Sequence, residues 1–509
     1  MQNNTEKTRH ILVLGGGTAG WMTAMIMAKQ WQHQPVHISL LESSDIGIIG
    51  VGEGSTPALR QFFERMDIPE QEWMPACNAT YKVGITFDQW STRQGYESYF
   101  HPFKFRLDEQ FAQAFFHSAA MRRQGLDVSA HPNQFFLSPL LAQKHLAPVP
   151  HYNFPFEPNY GYHFDSALLG RFLRDKAKAL GVTHVEGKVH DVLLSPSGHL
   201  QALKIEQGEQ IGADFFVDCS GFAAVLIQKA LKVPFISFES NLFNNAAVAI
   251  PSEITDEVPS QTLSTAMKNG WRWQIPLTNR FGNGYVYSDH YCSADEAETE
   301  LRHALDLVDS AVEARHLHMK VGRVQHHWYK NCLAIGLSQG FIEPLEATAL
   351  FLVQQAAALF VDAYEKGQFT EQHQQAYNAR INGYFEGIRD YIVGHYITNS
   401  RSDSQYWLDC QNNQDNLSDS LRHILEVWNS GGNLVEELHR QNVTQYYSPI
   451  SWHCLLAGSG YFGQQNTLQR PAATDKQVNL KKISEFLHRC SLNFDSHKQF
   501  LEQKLTRSA

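Results

Sequence analysis

A short apolar run at residues 11–14 breaks into Gly15-Gly16-Gly17-Thr18-Ala19-Gly20 and then into 21–30, whose composition favours helix. That order predicts strand, tight turn, helix. A second apolar run at 36–41 predicts another strand and ends on Glu42, 22 residues past Gly20, close to the spacing of a carboxylate that takes ribose hydroxyls. Glycines in such a turn let backbone N–H groups approach a pyrophosphate, and the positive end of the helix offsets its charge. Together the two features predict a dinucleotide site.

Farther along, 189–194, 200–206 and 213–217 read as short strands. The last runs into Asp218-Cys219-Ser220-Gly221, which suits a second pass through the nucleotide-binding layer. Residues 298–312 and 347–364 read as helices, and 370–445 is polar and helix-rich with no internal repeat. Gly458-Ser459-Gly460-Tyr461-Phe462-Gly463 repeats the Gly-x-Gly-x-x-Gly pattern. It leads into Gln464-Gln465-Asn466 and Pro471 with no clear helix to supply a dipole, and reads as a decoy within reach of a surface loop at 464–479.

Composition narrows the class. Hydrophobic residues make up 43% and charged residues 18%, the balance of a folded chain, and 509 residues suffice for two or more domains. Lys and Arg number 42 against 52 Asp and Glu, and a net charge of −10 argues against nucleic acid or an anionic membrane as partner. No apolar run reaches the roughly 18 residues of a membrane span, and the polar start reads as that of a cytoplasmic protein. Seven scattered cysteines without Cys-x-x-Cys read as buried free thiols. His316, His318, His326 and His327 match no tetrahedral ligand spacing, so no metal is expected. Ser55, Ser220 and Ser338 lack the His and acid pattern of a hydrolase.

Five stretches at 13–20, 51–57 with 73–87, 217–222, 270–276 and 331–350 fall in the order of one family, and together they resemble the flavin-dependent halogenases of the tryptophan halogenase type. The resemblance implies an α/β fold: an FAD-binding Rossmann-like module with mixed sheets, an inserted substrate-binding part and a helical C-terminal region. It suggests a catalytic domain over 1–395, with inserted segments at about 90–160 and 235–320, and a mainly helical substrate-side region over 396–509.

By the same resemblance FAD is held by Gly15, Gly17, Thr18, Ala19, Gly20 and Glu42, by a strap carrying Gly52, Glu53, Ser55 and Thr56, and by Gly336 and Leu337 on a returning strand. Gly270-Trp271-Arg272-Trp273-Gln274-Ile275-Pro276 carries the Trp-x-Trp-x-Ile-Pro signature that separates such halogenases from monooxygenase relatives, through Trp271, Trp273, Ile275 and Pro276. Asn78-Ala79-Thr80-Tyr81-Lys82-Val83-Gly84 resembles the segment of the essential lysine, which places that role on Lys82. Phe341-Ile342-Glu343-Pro344-Leu345-Glu346-Ala347-Thr348-Ala349-Leu350 places the partner carboxylate on Glu346 and halide on the N–H groups of Thr348 and Ala349. Alanine replaces the family's serine at 347 and its glycine at 349, a departure that bears on halide affinity and motivates bromide used at least as well as chloride. If position 349 needs positive φ, its alanine is strained.

His101 and Phe103 resemble the face that sandwiches an aromatic ring, with Trp452, and more loosely Tyr446 and Tyr447, for the opposite wall. The segment that grips the amino-acid head of tryptophan is not recognisable near 446–460, which favours an indole without that head or a larger aromatic. The implied reaction uses reduced FAD from a separate NAD(P)H-dependent flavin reductase, oxygen and halide, and relays hypohalous acid through Lys82. A homodimer stays open. So do two alternatives, an FAD-dependent aromatic monooxygenase and a non-catalytic flavoprotein.

Overall fold

The chain is described by a computed structural model over residues 8–44, 52–151, 153–206, 208–463, 468–472 and 477–506. Its nucleotide-binding layer is a six-stranded sheet in the order Trp328–Tyr329, Cys332–Ala334, Phe215–Asp218, Arg9–Leu14, Val36–Glu42, Thr183–Glu186. Every neighbour pair is parallel except the outermost, Trp328–Tyr329 with Cys332–Ala334. Parallel strands are covered on both faces, which explains the unbroken apolar run at 11–14. The expected first helix begins at Thr18, earlier than the pattern indicated, and Thr18–Gln30 packs against the helices Ser166–Ala179 and Ala349–Lys366.

A second, seven-stranded sheet runs Arg315–His318, Ala246–Ser252, Phe281–Tyr287, Gly270–Pro276, Thr262–Met267, Gly84–Asp88, Ser98–Pro102. It is antiparallel except between Thr262–Met267 and Gly84–Asp88. A three-stranded sheet joins Gly52–Gly54 and Thr80–Lys82 through Gly161–Asp165. This small sheet brings the strap and the Lys82 strand onto one support, although they are far apart in sequence.

Phe215–Asp218 enters the nucleotide layer beside Arg9–Leu14, as expected, while Val189–Leu194 and Leu200–Ile205 form a separate three-stranded sheet with Gln210–Gly212. The helix read at 298–312 is instead Ala294–Ala304. A Ser293 and Glu296 capping box starts it four residues early, and Asp306, at φ 56°, turns the chain out of the helix before Val308 and Val312, which are exposed. Helices dominate the C-terminal part, and residue 395 lies within the 25-residue helix Gln374–Thr398.

The second Gly-x-Gly-x-x-Gly run closes a helix, Pro449–Gly458, rather than opening one, and Tyr99 and Tyr96 pack on Gly458 and Gly460. It therefore has no helix N-terminus to offer a nucleotide. Among the described residues no helix is long and apolar enough to cross a membrane. All seven cysteines are free, and all are buried except the half-buried Cys219.

Candidate active site

The glycine turn sits at the carboxyl end of Arg9–Leu14, next to the end of Phe215–Asp218, where the strand order reverses direction. Gly15 has φ 113°, and a Cβ there would stand 2.2 Å from the Cys219 carbonyl oxygen. At Gly20 a Cβ would stand 1.9 Å from the Gly15 oxygen, so two of the three glycines are required by close backbone approach. Gly17 differs: nothing lies within 4 Å of its Cβ position, and it is the N-cap of Thr18–Gln30 without a side-chain cap. Glu42 reaches back over the turn, its Oε2 occupying the Cβ position of Gly16, while its Oε1 lies 2.9 Å from His184 Nε2.

The strap has two kinds of residue. The Ser55 hydroxyl accepts from the Tyr162 N–H at 2.9 Å, and the Ser55 N–H donates to the Tyr162 oxygen at 2.8 Å, so this side chain pins the strap to Gly161–Asp165. Burial pushes the Glu53 carboxyl up to about 7, against a hydrogen bond from Ser166. Thr56 leads into the helix Ala58–Arg65, and Val51 lies outside the described residues. Gly336, at φ 74°, comes against Ala19, its Cβ position 2.9 Å from that methyl group, and begins the short turn Gly336–Ser338 that contains Leu337.

Lys82 is fully buried, and its Nζ has no hydrogen-bond partner among the described residues. A Cβ at Gly54 would stand 3.0 Å from Nζ, and the Phe103 ring centroid lies 5.3 Å away. The amine therefore stands between the strap and an aromatic wall. Burial brings its pKa down to about 7, with the Glu346 charge pulling the other way.

Beside Lys82, His163 Nδ1 lies 3.1 Å from Thr80 Oγ1, and His163 Nε2 lies 2.9 Å from Thr262 Oγ1. Because the Thr80 hydroxyl donates to the Pro276 oxygen at 2.7 Å, His163 must donate from Nδ1 and accept at Nε2. Burial and the Lys82 charge hold this imidazole neutral, its pKa well below the usual range.

Glu346 ends the short turn Pro344–Glu346 and is buried. His101 Nδ1 lies 2.8 Å from its Oε2, and His395 Nε2 lies 3.3 Å from its Oε1. Burial alone would raise this carboxyl, but the two histidines outweigh it and hold it at about 2. Ala349 is the first residue of Ala349–Lys366, with Thr348 as N-cap, so their N–H groups belong to the unsatisfied first turn of a helix. Positive φ falls on Ala347, at 57°, and not on Ala349.

Comparison with known proteins decides the family. The sequence model described as tryptophan halogenase matches residues 10–474. The tryptophan 6-halogenase of Streptomyces toxytricini is 36% identical over 505 residues, covering 93% of this chain and 94% of that one. Its crystal structure superposes with a TM-score of 0.84 at 34% identity, over 97% and 99% of the two chains. A flavin-dependent halogenase from Xanthomonas campestris matches with a TM-score of 0.84 at 30% identity, over 98% and 99%.

The chain belongs to the tryptophan halogenase family.

It is thus an enzyme, a flavin-dependent halogenase, and its cofactor is FAD. As a tryptophan halogenase family member it carries a turn that fits a flavin nucleotide. The approach at Gly17 is open at a helix N-terminus, the contacts at Gly15 and Gly20 leave no room for side chains there, and Glu42 lies over the turn.

The signature strand lies beneath the site. Trp271 and Trp273 are buried with ring centroids 6.2 Å apart. Ile275 packs under Gly52, and Pro276 accepts from Thr80, so the strand supports both the strap and the Lys82 strand.

Trp452 is buried edge-on to Tyr391 at 5.0 Å, and Tyr391 stacks on Tyr447 at 3.6 Å. Trp452 Nε1 and the Tyr447 hydroxyl have no partner among the described residues. Tyr446 packs elsewhere, against Gly383, Gly387 and Tyr384.

Sequence reading missed Tyr391 and His395, which share one face of Gln374–Thr398 at a spacing of four. A ring pair at that spacing on a predicted helix was the available signal. His163, Thr262 and Glu343 gave none.

Proposed function

We propose that this enzyme halogenates an electron-rich aromatic ring of the indole class, with Lys82 delivering the halogen and Glu346 taking the ring proton. The single observation that carries the proposal is the Lys82 amine, buried without a partner between the strap and the Phe103 ring and within the field of Glu346.

When bound, reduced FAD would supply the two electrons that reduce dioxygen, one oxygen atom passing to halide as hypohalous acid and the other leaving as water. Lys82, as an ammonium, donates a hydrogen bond to the hypohalous oxygen. The oxygen–halogen bond breaks as the carbon–halogen bond forms, the oxygen leaving as water with the Lys82 proton. Glu346, ionised at every working pH, accepts the proton from the substituted carbon and is kept ionised by His101 and His395. Full burial of the Lys82 amine keeps the oxidant that it holds away from bulk water.

Halide is assigned to the N–H groups of Thr348 and Ala349, and contact with the ring to His101, Phe103 and Trp452. The relative from Streptomyces toxytricini is a tryptophan 6-halogenase, which supports an indole ring. That no segment for gripping the amino-acid head is recognisable near 446–460 supports a ring without that head, and the alanines at 347 and 349, in place of the family's serine and glycine, support bromide used at least as well as chloride. A separate flavin reductase supplies reduced FAD.

Mass spectrometry of indole and tryptophan incubated with the enzyme, FAD, a flavin reductase and NADH, in bromide or chloride, tests the reading. Halogen-shifted product from wild type that falls at least 100-fold in Lys82→Ala, with FAD binding retained, is the expected result. Hydroxylated product independent of halide would replace it with a monooxygenase.

A further inference from the structure

Glu343 lies three residues before Glu346 and is 1% exposed. A single oxygen, Oε2, accepts hydrogen bonds from the Trp271 indole N–H at 2.7 Å, the Tyr396 hydroxyl at 2.6 Å and Asn244 Nδ2 at 2.9 Å. Oε1 has no partner among the described residues. Asn244 is itself fixed, its Oδ1 accepting from the Tyr406 hydroxyl at 2.9 Å.

A carboxylate in such a dry place is costly unless donors converge on it, and here they come from three separate segments. The donors are the signature strand Gly270–Pro276, the C-terminal end of Gln374–Thr398, and Asn244 just ahead of Ala246–Ser252.

The arrangement has a counterpart one residue away. Tyr396 holds Glu343, and His395, its neighbour on the same helix, faces Glu346. The turn that carries Glu346 and the end of this helix are therefore joined twice, and the Glu343 link is the one anchored to Trp271. Of the two signature tryptophans, only Trp271 has its N–H engaged; Trp273 Nε1 is buried without a partner among the described residues. An indole at 271 acts here as a hydrogen-bond donor, which phenylalanine of similar bulk cannot do.

We infer that Glu343 is a positioning residue for halogen transfer: it clamps the Glu346 turn to Trp271 and to the Tyr396 end of the helix, and so keeps the Glu346 carboxylate within reach of Lys82 and of the ring. This rests on the roles given above to Lys82 and Glu346. Glu343 reaches the reaction only through the turn, and its loss affects the chemical step more than binding of the ring.

The test compares wild type, Glu343→Gln, Tyr396→Phe, the double variant and Lys82→Ala, each supplied with reduced FAD, bromide and indole. Product formed per reduced FAD oxidised and the KM for indole are measured alongside melting temperature. Each single variant is expected to lower product per FAD about tenfold with KM within twofold of wild type, and the double variant to be no worse than the poorer single. Losses that multiply in the double variant, or a yield retained in Glu343→Gln, overturn the inference. If Glu343→Gln fails to fold, Tyr396→Phe carries the test alone.

A second readout is independent of turnover. In protein labelled with 15N at tryptophan, the Trp271 indole N–H resonance, assigned from Trp271→Phe, is expected to move upfield in Glu343→Gln as its ionic acceptor is lost. An unmoved resonance overturns the inference. Lys82→Ala separates the two claims: halogenation retained there defeats the Lys82 assignment and leaves the resonance to judge Glu343. Halogenation lost there but kept in Glu343→Gln defeats only the clamp.

Discussion

At the scale of the residue, Lys82 controls the pH response. Its pKa of about 7 places the change between ammonium and amine within the working range, while Glu346, at about 2, stays ionised throughout. If the ammonium is the donor to hypohalous acid, single-turnover halogenation with preformed reduced FAD falls as pH rises through about 7. A nucleophilic amine that forms a haloamine would give the opposite slope. The Glu346 charge raises the Lys82 pKa, so Glu346→Gln moves the midpoint of any residual activity to lower pH. A pH–rate profile that does not change sign or position between wild type and Glu346→Gln would show that the two groups are not coupled. None of this was legible from Lys82 alone, because a lysine between apolar neighbours in a strand is ordinarily a surface residue. Only the motif around it pointed inward, and the sequence offered no sign of His163 or Thr262, which arrive from strands 81 and 180 residues away.

At the scale of the element, the turn before Ala349–Lys366 shows where a pattern stops being informative. A departure from glycine at 349 suggested strain there, yet the left-handed residue is Ala347. Pro344 starts a tight turn that the Ala347 N–H closes on the Pro344 oxygen at 3.0 Å, and the chain must reverse hand before Thr348 can cap the helix. Sequence gives the proline and the apolar helix but not the residue on which the reversal falls. Left-handed alanine costs roughly 1–2 kcal/mol, and glycine in its place returns about half of that as unfolded-chain entropy. Ala347→Gly is therefore expected to stabilise the protein by about 0.5 kcal/mol, read as a small rise in melting temperature. A fall of similar size would mean that the alanine methyl group packs usefully. The nucleotide turn is the contrasting case: run, glycines and Glu42 lie within a stretch of 32 residues, so local pattern sufficed.

At the scale of the whole molecule, the Lys82 strand is held by a segment more than 400 residues away, a contact beyond any reading of local pattern. The Tyr81 N–H donates to His497 Nε2 at 3.1 Å, and His497 Nδ1 lies 3.0 Å from the Val258 oxygen, so Nδ1 carries the proton and Nε2 must stay bare. The preceding Phe494–Ser496 pairs with Leu146–Pro150, and the helix Leu480–Ser491 buries Ile483 and Leu487. The C-terminal segment thus closes over the back of the site as one packed unit. Burial pushes His497 down to about 4. Between that value and the ordinary 6.5 the unfolded chain binds the proton that the folded protein refuses, so the stability from the neutral imidazole is complete above pH 6.5 and is lost as pH falls towards 4. The loss amounts to about 3 kcal/mol at its limit. His497→Gln, which cannot titrate, is expected to melt below wild type at pH 7.5, with the gap narrowing steadily as pH is lowered to 4.5. A gap constant across that range would mean that His497 contributes shape alone, and that the acceptor for Tyr81 does not depend on the charge of the ring.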